Sequence, residues 1–265
     1  VKIASLDLVL DVGNSRTKAA LFFGGRPLRW TTLANGDAAV LRTWLGSDVP
    51  QQVVLGSVAR PDAHWLEQLY GIAPVLDVDG RTKTPLKLAY GTPATLGVDR
   101  LANAVAAAAL FPGRPVLVVD AGTCITYDLV EADGTYTGGA ISPGMDMRAK
   151  ALHAYSAKLP FVLPNDDPAV LGTTTLESIA SGIHHGIVGE LQGFIKSLGY
   201  QHPQMAVVLT GGDGLRFARA LKSGIFALPL LTLQGLHAIL EHHRTLDHGR
   251  FAVGGGHGTG AGSSG

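Results

Sequence analysis

Apolar residues along this chain fall in short runs separated by glycine, proline and aspartate, and runs of strand character alternate with runs of helical character. Residues 6–10 and 19–23 predict a strand hairpin, with Gly24 and Gly25 making the next turn. Short strands are expected at 51–58 and 74–78. The run "DRLANAVAAAAL" (99–110) predicts a helix, and "FPGRP" (111–115) ends it, because neither a helix nor a central strand tolerates two prolines around a glycine. The pattern then restarts. Strands are expected at 116–119, 124–130 and 135–138, with a turn at Asp133 and Gly134, and helices at 143–157 and 176–198. A strand from 205 runs into the glycine turn "TGGDG" (210–214), and helices at 215–222 and near 234–243 follow. The alternation predicts an α/β fold. We expect a first domain at 1–112, a second at 113–253, and a disordered glycine- and serine-rich tail at 254–265.

The pattern also repeats. Asp11-x-Gly13-x-x-x-Thr17 matches Asp120-x-Gly122-x-x-x-Thr126, each placed after one apolar strand and before another. Such a match at a fixed offset predicts two halves of one architecture. Glycine in such a turn is expected to take positive φ and let the backbone approach a ligand. Successive N–H groups there form an anion-binding concavity suited to phosphate. The aspartate cannot bind phosphate itself, so its expected task is a cation or the water around one. One copy alone would read as a plain hairpin turn. Two copies and the third glycine turn at 210–214 favour a clamp for a polyphosphate and its metal.

Charge and composition narrow the classes. Among 265 residues, Lys plus Arg number 21 and Asp plus Glu number 21, a balance that disfavours a dedicated nucleic-acid binder. Cys124 is the single cysteine, so no disulfide framework exists and a reducing cytoplasm is the expected setting. Asp7 and Asp11 interrupt the apolar start, which therefore lacks a signal-peptide layout. The most apolar helical run, 101–110, is about half the length needed to span a bilayer, so no membrane partner is expected.

These residues resemble the actin-like ATPase superfamily and, within it, the type III pantothenate kinases. The family's first phosphate motif, Asp-x-Gly-Asn-Thr/Ser-x-x-Lys, is matched by "DVGNSRTK", which supplies Asp11, Gly13, Asn14, Ser15 and Lys18. Its substrate motif, Tyr-x-x-Pro-x-x-Leu-Gly-x-Asp-Arg, stands whole as "YGTPATLGVDR" (90–100), and its second phosphate motif covers Asp120 to Thr123. The stretches "GGAISPG" (138–144) and "GTTTLESIASG" (172–182) match further family segments. Two departures stand out: Cys124 replaces a smaller residue, and "GTTT" lacks the basic or asparagine residue often found before the final threonine.

The resemblance implies two actin-like (ribonuclease H-like) domains with a nucleotide cleft between them. It implies transfer of phosphate from ATP with Mg²⁺ to the hydroxyl of pantothenate, the first step of coenzyme A synthesis. A monovalent cation (potassium or ammonium) and a homodimer with a shared substrate site are implied as well. ATP contacts would come from Asp11, Val12, Gly13, Asn14, Ser15, Arg16, Thr17, Lys18, Thr123, Gly211 and Gly212. Substrate contacts would come from Tyr90, Gly97, Val98, Asp99, Arg100 and Thr175. Asp99 would be the catalytic base, Asp120 the monovalent-cation ligand, and Asp11 the group that orients magnesium-bound water. The family also includes chains first described as accessory factors for a bacterial virulence regulator. A nucleotide-binding factor with little turnover, or another small-molecule kinase of the superfamily, is therefore the competing expectation.

Each residue also has an ordinary reading. Asp99 directly precedes a helical run and would serve as an N-cap. Arg100 and Lys18 would be solvated surface cations, and Tyr90 a loop aromatic. Thr174 and Glu177 form a capping box ahead of the apolar stripe Ile179, Ile183, Ile187 and Leu191, which makes Thr174 a structural cap and leaves Thr175 in the first turn for the ligand. His184 and His185, as helix neighbours, point about 100° apart and do not form a shared metal face. Cys124 is expected to be a small packing residue.

Overall fold

A computed structural model of the chain describes residues 5–14, 16–57, 63–221 and 224–253, with side chains omitted from 247 onward. Expectations for Ser15, Val58, Lys222 and the tail at 254–265 lie outside those residues. The first half runs β1 (Leu6–Val12), β2 (Arg16–Phe23), β3 (Arg26–Ala34), α1 (Ala38–Leu45), β4 (Gln52–Ser57), α2 (Ala63–Tyr70) and β5 (Val75–Val78). A short β6 (Lys87–Leu88) and the 3-10 turn Pro93–Thr95 lead into α3 (Val98–Leu110). The second half runs β7 (Val116–Ala121), β8 (Cys124–Val130), β9 (Thr135–Pro143), α4 (Met145–Ala154), α5 (Thr175–Gln201), β10 (Ala206–Thr210), α6 (Gly214–Leu221), β11 (Ile225–Ala227) and α7 (Leu231–Val253).

The repeat seen in the sequence is a repeat of topology. One sheet has the order β3-β2-β1-β4-β5, and the other, read from its β9 side, has β9-β8-β7-β10-β11 with β6 added at the edge. In both, the opening strand pairs antiparallel with the second and parallel with a later strand. The registers correspond too: Asp11 stands opposite Lys18 and Gly56, and Asp120 opposite Thr126 and Thr210.

Burial follows from alternation along each strand. One face of the first sheet, with Leu8, Leu10, Leu21 and Leu55, packs on Leu41 and Leu45 of α1 and Trp65 and Leu69 of α2. Its other face, with Val9, Ala20 and Val54, packs on α3 and α7. The second sheet sets Leu117, Val119 and Tyr127 against α4, α5 and α6. Its remaining face meets α3 through Ala106, Ala107, Leu101 and Ala104. The stripe Ile179, Ile183, Ile187 and Leu191 is buried in this core, as the i, i+4 spacing predicts.

Helices α3 and α7 are thus a central layer between two sheets. A Cβ on Gly235 of α7 would enter the backbone of Ala102 in α3, so glycine there permits the close crossing. The ion pair of Arg244 with Asp7, reinforced by His237 Nε2 at 3.1 Å from Asp7, fastens α7 to β1. Among the described residues, no helix is long and apolar enough to cross a membrane.

Candidate functional site

The two aspartate turns close in different ways. In the first, Gly13 N–H donates to the Arg16 carbonyl at 3.0 Å. Thr17 is buried and gives its hydroxyl to Asn35 Oδ1 at 2.8 Å, while Asn35 Nδ2 donates to the Gly13 carbonyl at 2.8 Å. Asn35, at the end of β3, therefore pins the turn from outside the motif. Thr17 is committed to this bracing. Val12 is a core residue, so only its backbone faces a ligand. Asn14 and Arg16 are exposed at the turn, and Lys18 stands across from Asp11.

In the second turn Gly122 N–H donates to the Cys124 carbonyl at 2.9 Å, and Thr123 is exposed. The expectation of positive φ at the motif glycines is corrected here. Neither Gly13 nor Gly122 adopts it, and the left-handed glycine is Gly211, with φ of 86°. A Cβ on Gly211 would strike the Ala121 carbonyl and Asp120 Oδ1, so the third turn folds directly over the second. Gly212 faces open space. Gly144 also has no room for a Cβ, being pressed on the Gly122 and Thr123 backbone, and its N–H donates to the Thr123 carbonyl at 3.1 Å.

Asp99 is not the N-cap of its helix. Gly97 occupies the cap and Asp99 sits inside the first turn, because the helix begins at Val98, one residue earlier than the sequence run indicated. The Asp99 Oδ1 accepts the Arg100 N–H at 2.8 Å, and a Cβ on Gly97 would lie 2.5 Å from that oxygen. Gly97 thus clears space for the carboxylate. Val98 sends its side chain into the core between α3 and the first sheet.

Asp11, Asp99 and Asp120 feel one another's charge. Burial pushes Asp11 up to about 7, Lys18 opposes, and the charges of Asp120 and Asp99 add to the rise. Burial pushes Asp120 up to about 6, with Asp99 adding and the amide of Asn103 opposing. Three carboxylates with too little positive charge between them form a site that a cation would relieve. Beside Asp120, the Thr210 hydroxyl is buried with no hydrogen-bond partner, an oxygen of the hard type that Mg²⁺ or K⁺ accepts.

The guanidinium of Arg100 is already engaged within the protein. It is buried and donates from Nε (2.9 Å) and Nη2 (2.7 Å) to a single oxygen of Asp128, which also accepts the Tyr136 hydroxyl at 2.7 Å. Its guanidinium carbon lies 5.7 Å from the centre of the Tyr90 ring. The surface-cation reading of Arg100 is therefore excluded by burial. Thr174 caps α5 in a complete capping box, which places Thr175 in the first turn. Thr175 lines a groove of about 590 Å³ with Leu152, Leu159, Gly172 and Ile179, and none of Tyr90, Asp99 or Arg100 lines it.

His184 is buried near Phe217, and His185 bonds the Pro168 carbonyl at 3.0 Å. Asp7, His237 and Glu241 converge closely enough for a metal, but Arg244 already donates to both carboxylates. Cys124 is a free, half-buried thiol.

Asn35, Asn103, Asp128 and Thr210 were missed from sequence. Of these, Asn103 carried a usable signal: it lies four residues after Asp99, on the same helix face.

A family model described as type III pantothenate kinase matches residues 7–197. A type III pantothenate kinase from Christiangramia forsetii is 40% identical over 242 residues, covering 91% of this chain and 100% of the relative. One from Phocaeicola vulgatus is 39% identical over 244 residues, with 91% and 100% covered. A solved structure described as a Baf family transcriptional activator from Campylobacter jejuni superimposes with a TM-score of 0.59 at 21% identity, covering 90% of this chain and 99% of that one. A Listeria monocytogenes protein described as an N-acetylmannosamine kinase reaches 0.50 at 12% identity, with 90% and 99% covered. At those identities the likeness concerns the fold alone.

Proposed function

This chain belongs to the type III pantothenate kinase family, and we propose that it transfers the γ-phosphoryl group of ATP to the terminal hydroxyl of pantothenate, opening coenzyme A synthesis. The observation that carries this reading is the cluster of Asp99, Asp11 and Asp120. Asp11 and Asp120 stand at matching positions one residue before the ends of β1 and β7, and Asn103, one turn after Asp99 on α3, donates to Asp120 at 2.9 Å. Asp99 accepts the proton of the pantothenate hydroxyl as its oxygen attacks phosphorus, and ADP departs. Phosphoryl transfer asks little covalent work of a protein, so positioning and charge stabilisation dominate.

Asp11 would orient the water around Mg²⁺, and Asp120 with the Thr210 hydroxyl would hold a monovalent cation; bound metal would supply the positive charge that phosphate oxygens need. The turn backbone from 11 to 18, Thr123, Gly211 and Gly212 cradle the phosphates, with Lys18 reaching an oxygen. Tyr90 walls the acceptor pocket. Arg100, aimed by Asp128, offers its remaining nitrogen Nη1 to the pantothenate carboxylate. That is a single charge-assisted bond in place of a two-bond fork.

Thr175 supports a shared site. It lines the separate groove beside α4 and α5, where Tyr155 is 92% exposed and Leu152, Phe161 and Leu163 are also exposed. A second copy seated on this face would bring Thr175 to its partner's pantothenate and bury the apolar surface. The test is ATP consumption with Mg²⁺ and K⁺. ADP formed only with pantothenate, matched by phosphorylated pantothenate, supports the kinase. Nucleotide binding without turnover supports the regulatory alternative.

A further inference from the structure

We propose that Asn103 is a positioning residue for this reaction, whose amide fixes Asp120 so that one carboxylate oxygen faces the glycine turns. This rests on the kinase reading above. Asn103 is wholly buried in the second turn of α3. Its Nδ2 donates to Asp120 Oδ2 at 2.9 Å, and its Oδ1 accepts the hydroxyl of buried Thr232, at the start of α7, at 2.9 Å. The two partners fix the amide's orientation: a carboxylate must take the N–H side, and the hydroxyl has its proton for the carbonyl side.

The consequence falls on the other Asp120 oxygen. Oδ1 lies 3.6 Å from where a Cβ of Gly122 would stand and in the space that Gly211 leaves by having no side chain. Both glycines belong to the phosphate turns, so Asn103 holds the rear oxygen while the front one is presented to the cleft. Asn103 is also four residues past Asp99, about 6 Å along one rigid helix. The same helix therefore spaces the proton acceptor from the cation-side carboxylate, and Thr232 anchors that helix to α7. Among the described residues, the phosphate motifs themselves do not restrain Asp120 in this way.

The experiment is calorimetric titration of Mg²⁺ and a non-hydrolysable ATP analogue into wild type, Asn103→Ala and Thr232→Val, over a K⁺ series balanced with tetramethylammonium. KM for pantothenate is measured alongside. Loss of a partner that orients a metal ligand typically weakens the metal by 10–100-fold, so Asn103→Ala should need at least about tenfold more K⁺ to strengthen analogue binding. Thr232→Val should move the same way by a smaller factor, and pantothenate KM should stay within about twofold in both. A purely structural role would lower thermal stability and leave the K⁺ response untouched, which overturns the inference. If Asn103→Ala does not fold, the K⁺ response of Thr232→Val decides. A wild type indifferent to K⁺ overturns the cation reading itself, in an arm separate from the variants.

Discussion

Arg100 shows how a residue's role depends on a partner far away in sequence. Its buried pair with Asp128 joins α3 to β8, and Asp128 takes both guanidinium bonds and the Tyr136 hydroxyl on one oxygen. Removing one partner of a buried pair strands the other charge, so Arg100→Ala should cost roughly 3–5 kcal/mol in urea denaturation. Asp128→Ala should cost a similar amount, and the double variant much less than their sum. A loss near zero would mean that solvent reaches the pair. Arg100→Lys should lower pantothenate affinity at least about tenfold, because one ammonium cannot serve Asp128 and a carboxylate together. Binding of an ATP analogue should hold, since the phosphate turns are built elsewhere. Asp11, Asp99 and Asp120 were legible in the sequence because each stands beside its own glycine at a strand or helix boundary. The Asp128 and Asn35 contacts were not, because a hydrogen-bond partner is chosen by tertiary pairing and leaves no local pattern.

At the scale of elements, caps and turns carry separable energies. The Thr174–Glu177 box satisfies N–H groups at the start of α5, with Glu177 Oε2 accepting from the Thr173 and Thr174 backbones at 2.7 and 3.1 Å. Thr174→Ala should therefore lower stability by about 1 kcal/mol in a denaturant midpoint, leaving kcat unchanged. A fall in kcat would return Thr174 to the ligand role.

The two phosphate turns make stability depend on pH. In the folded chain without metal, Asp11 and Asp120 titrate near 7 and 6, while in the unfolded chain they titrate near 3.8. Between about pH 4 and 7 the folded state holds protons that the unfolded state has lost, so this contribution to stability falls as pH rises. Asp7, lowered to about 2, acts in the opposite sense only below about pH 4, outside that window. Thermal melts in metal-free buffer should show a slope across pH 5–7 that Asp11→Asn flattens; an unchanged slope would contradict the assignment. Most strands and long helices were readable from their periodicity. Strand β3 was missed because "RPLRWTTLA" is an exposed edge with little apolar alternation, and α1 and α2 because their buried residues are too few to set a period.

Across the whole molecule, two sheets of the same strand order face a shared layer of α3 and α7. The duplication was legible from two short motifs. The return of α7 to the first sheet was not, because it depends on Gly235 meeting Ala102 and on Arg244 reaching Asp7. The exposed face at Leu152 and Tyr155 predicts self-association. Tyr155→Glu should shift wild-type dimers to monomers in sedimentation and lower activity with them, whereas a monomeric wild type would contradict the shared site.

The central claim is that Asp99 takes the acceptor's proton opposite the phosphate turns, and single-turnover measurement on Asp99→Asn tests it most directly. With pantothenate, ATP, Mg²⁺ and K⁺ saturating, phosphorylated pantothenate should form about 10²–10⁴-fold more slowly than in wild type. Pantothenate and ATP-analogue affinities and the melting temperature should stay close to wild type. Product formation within tenfold of wild type would contradict the account.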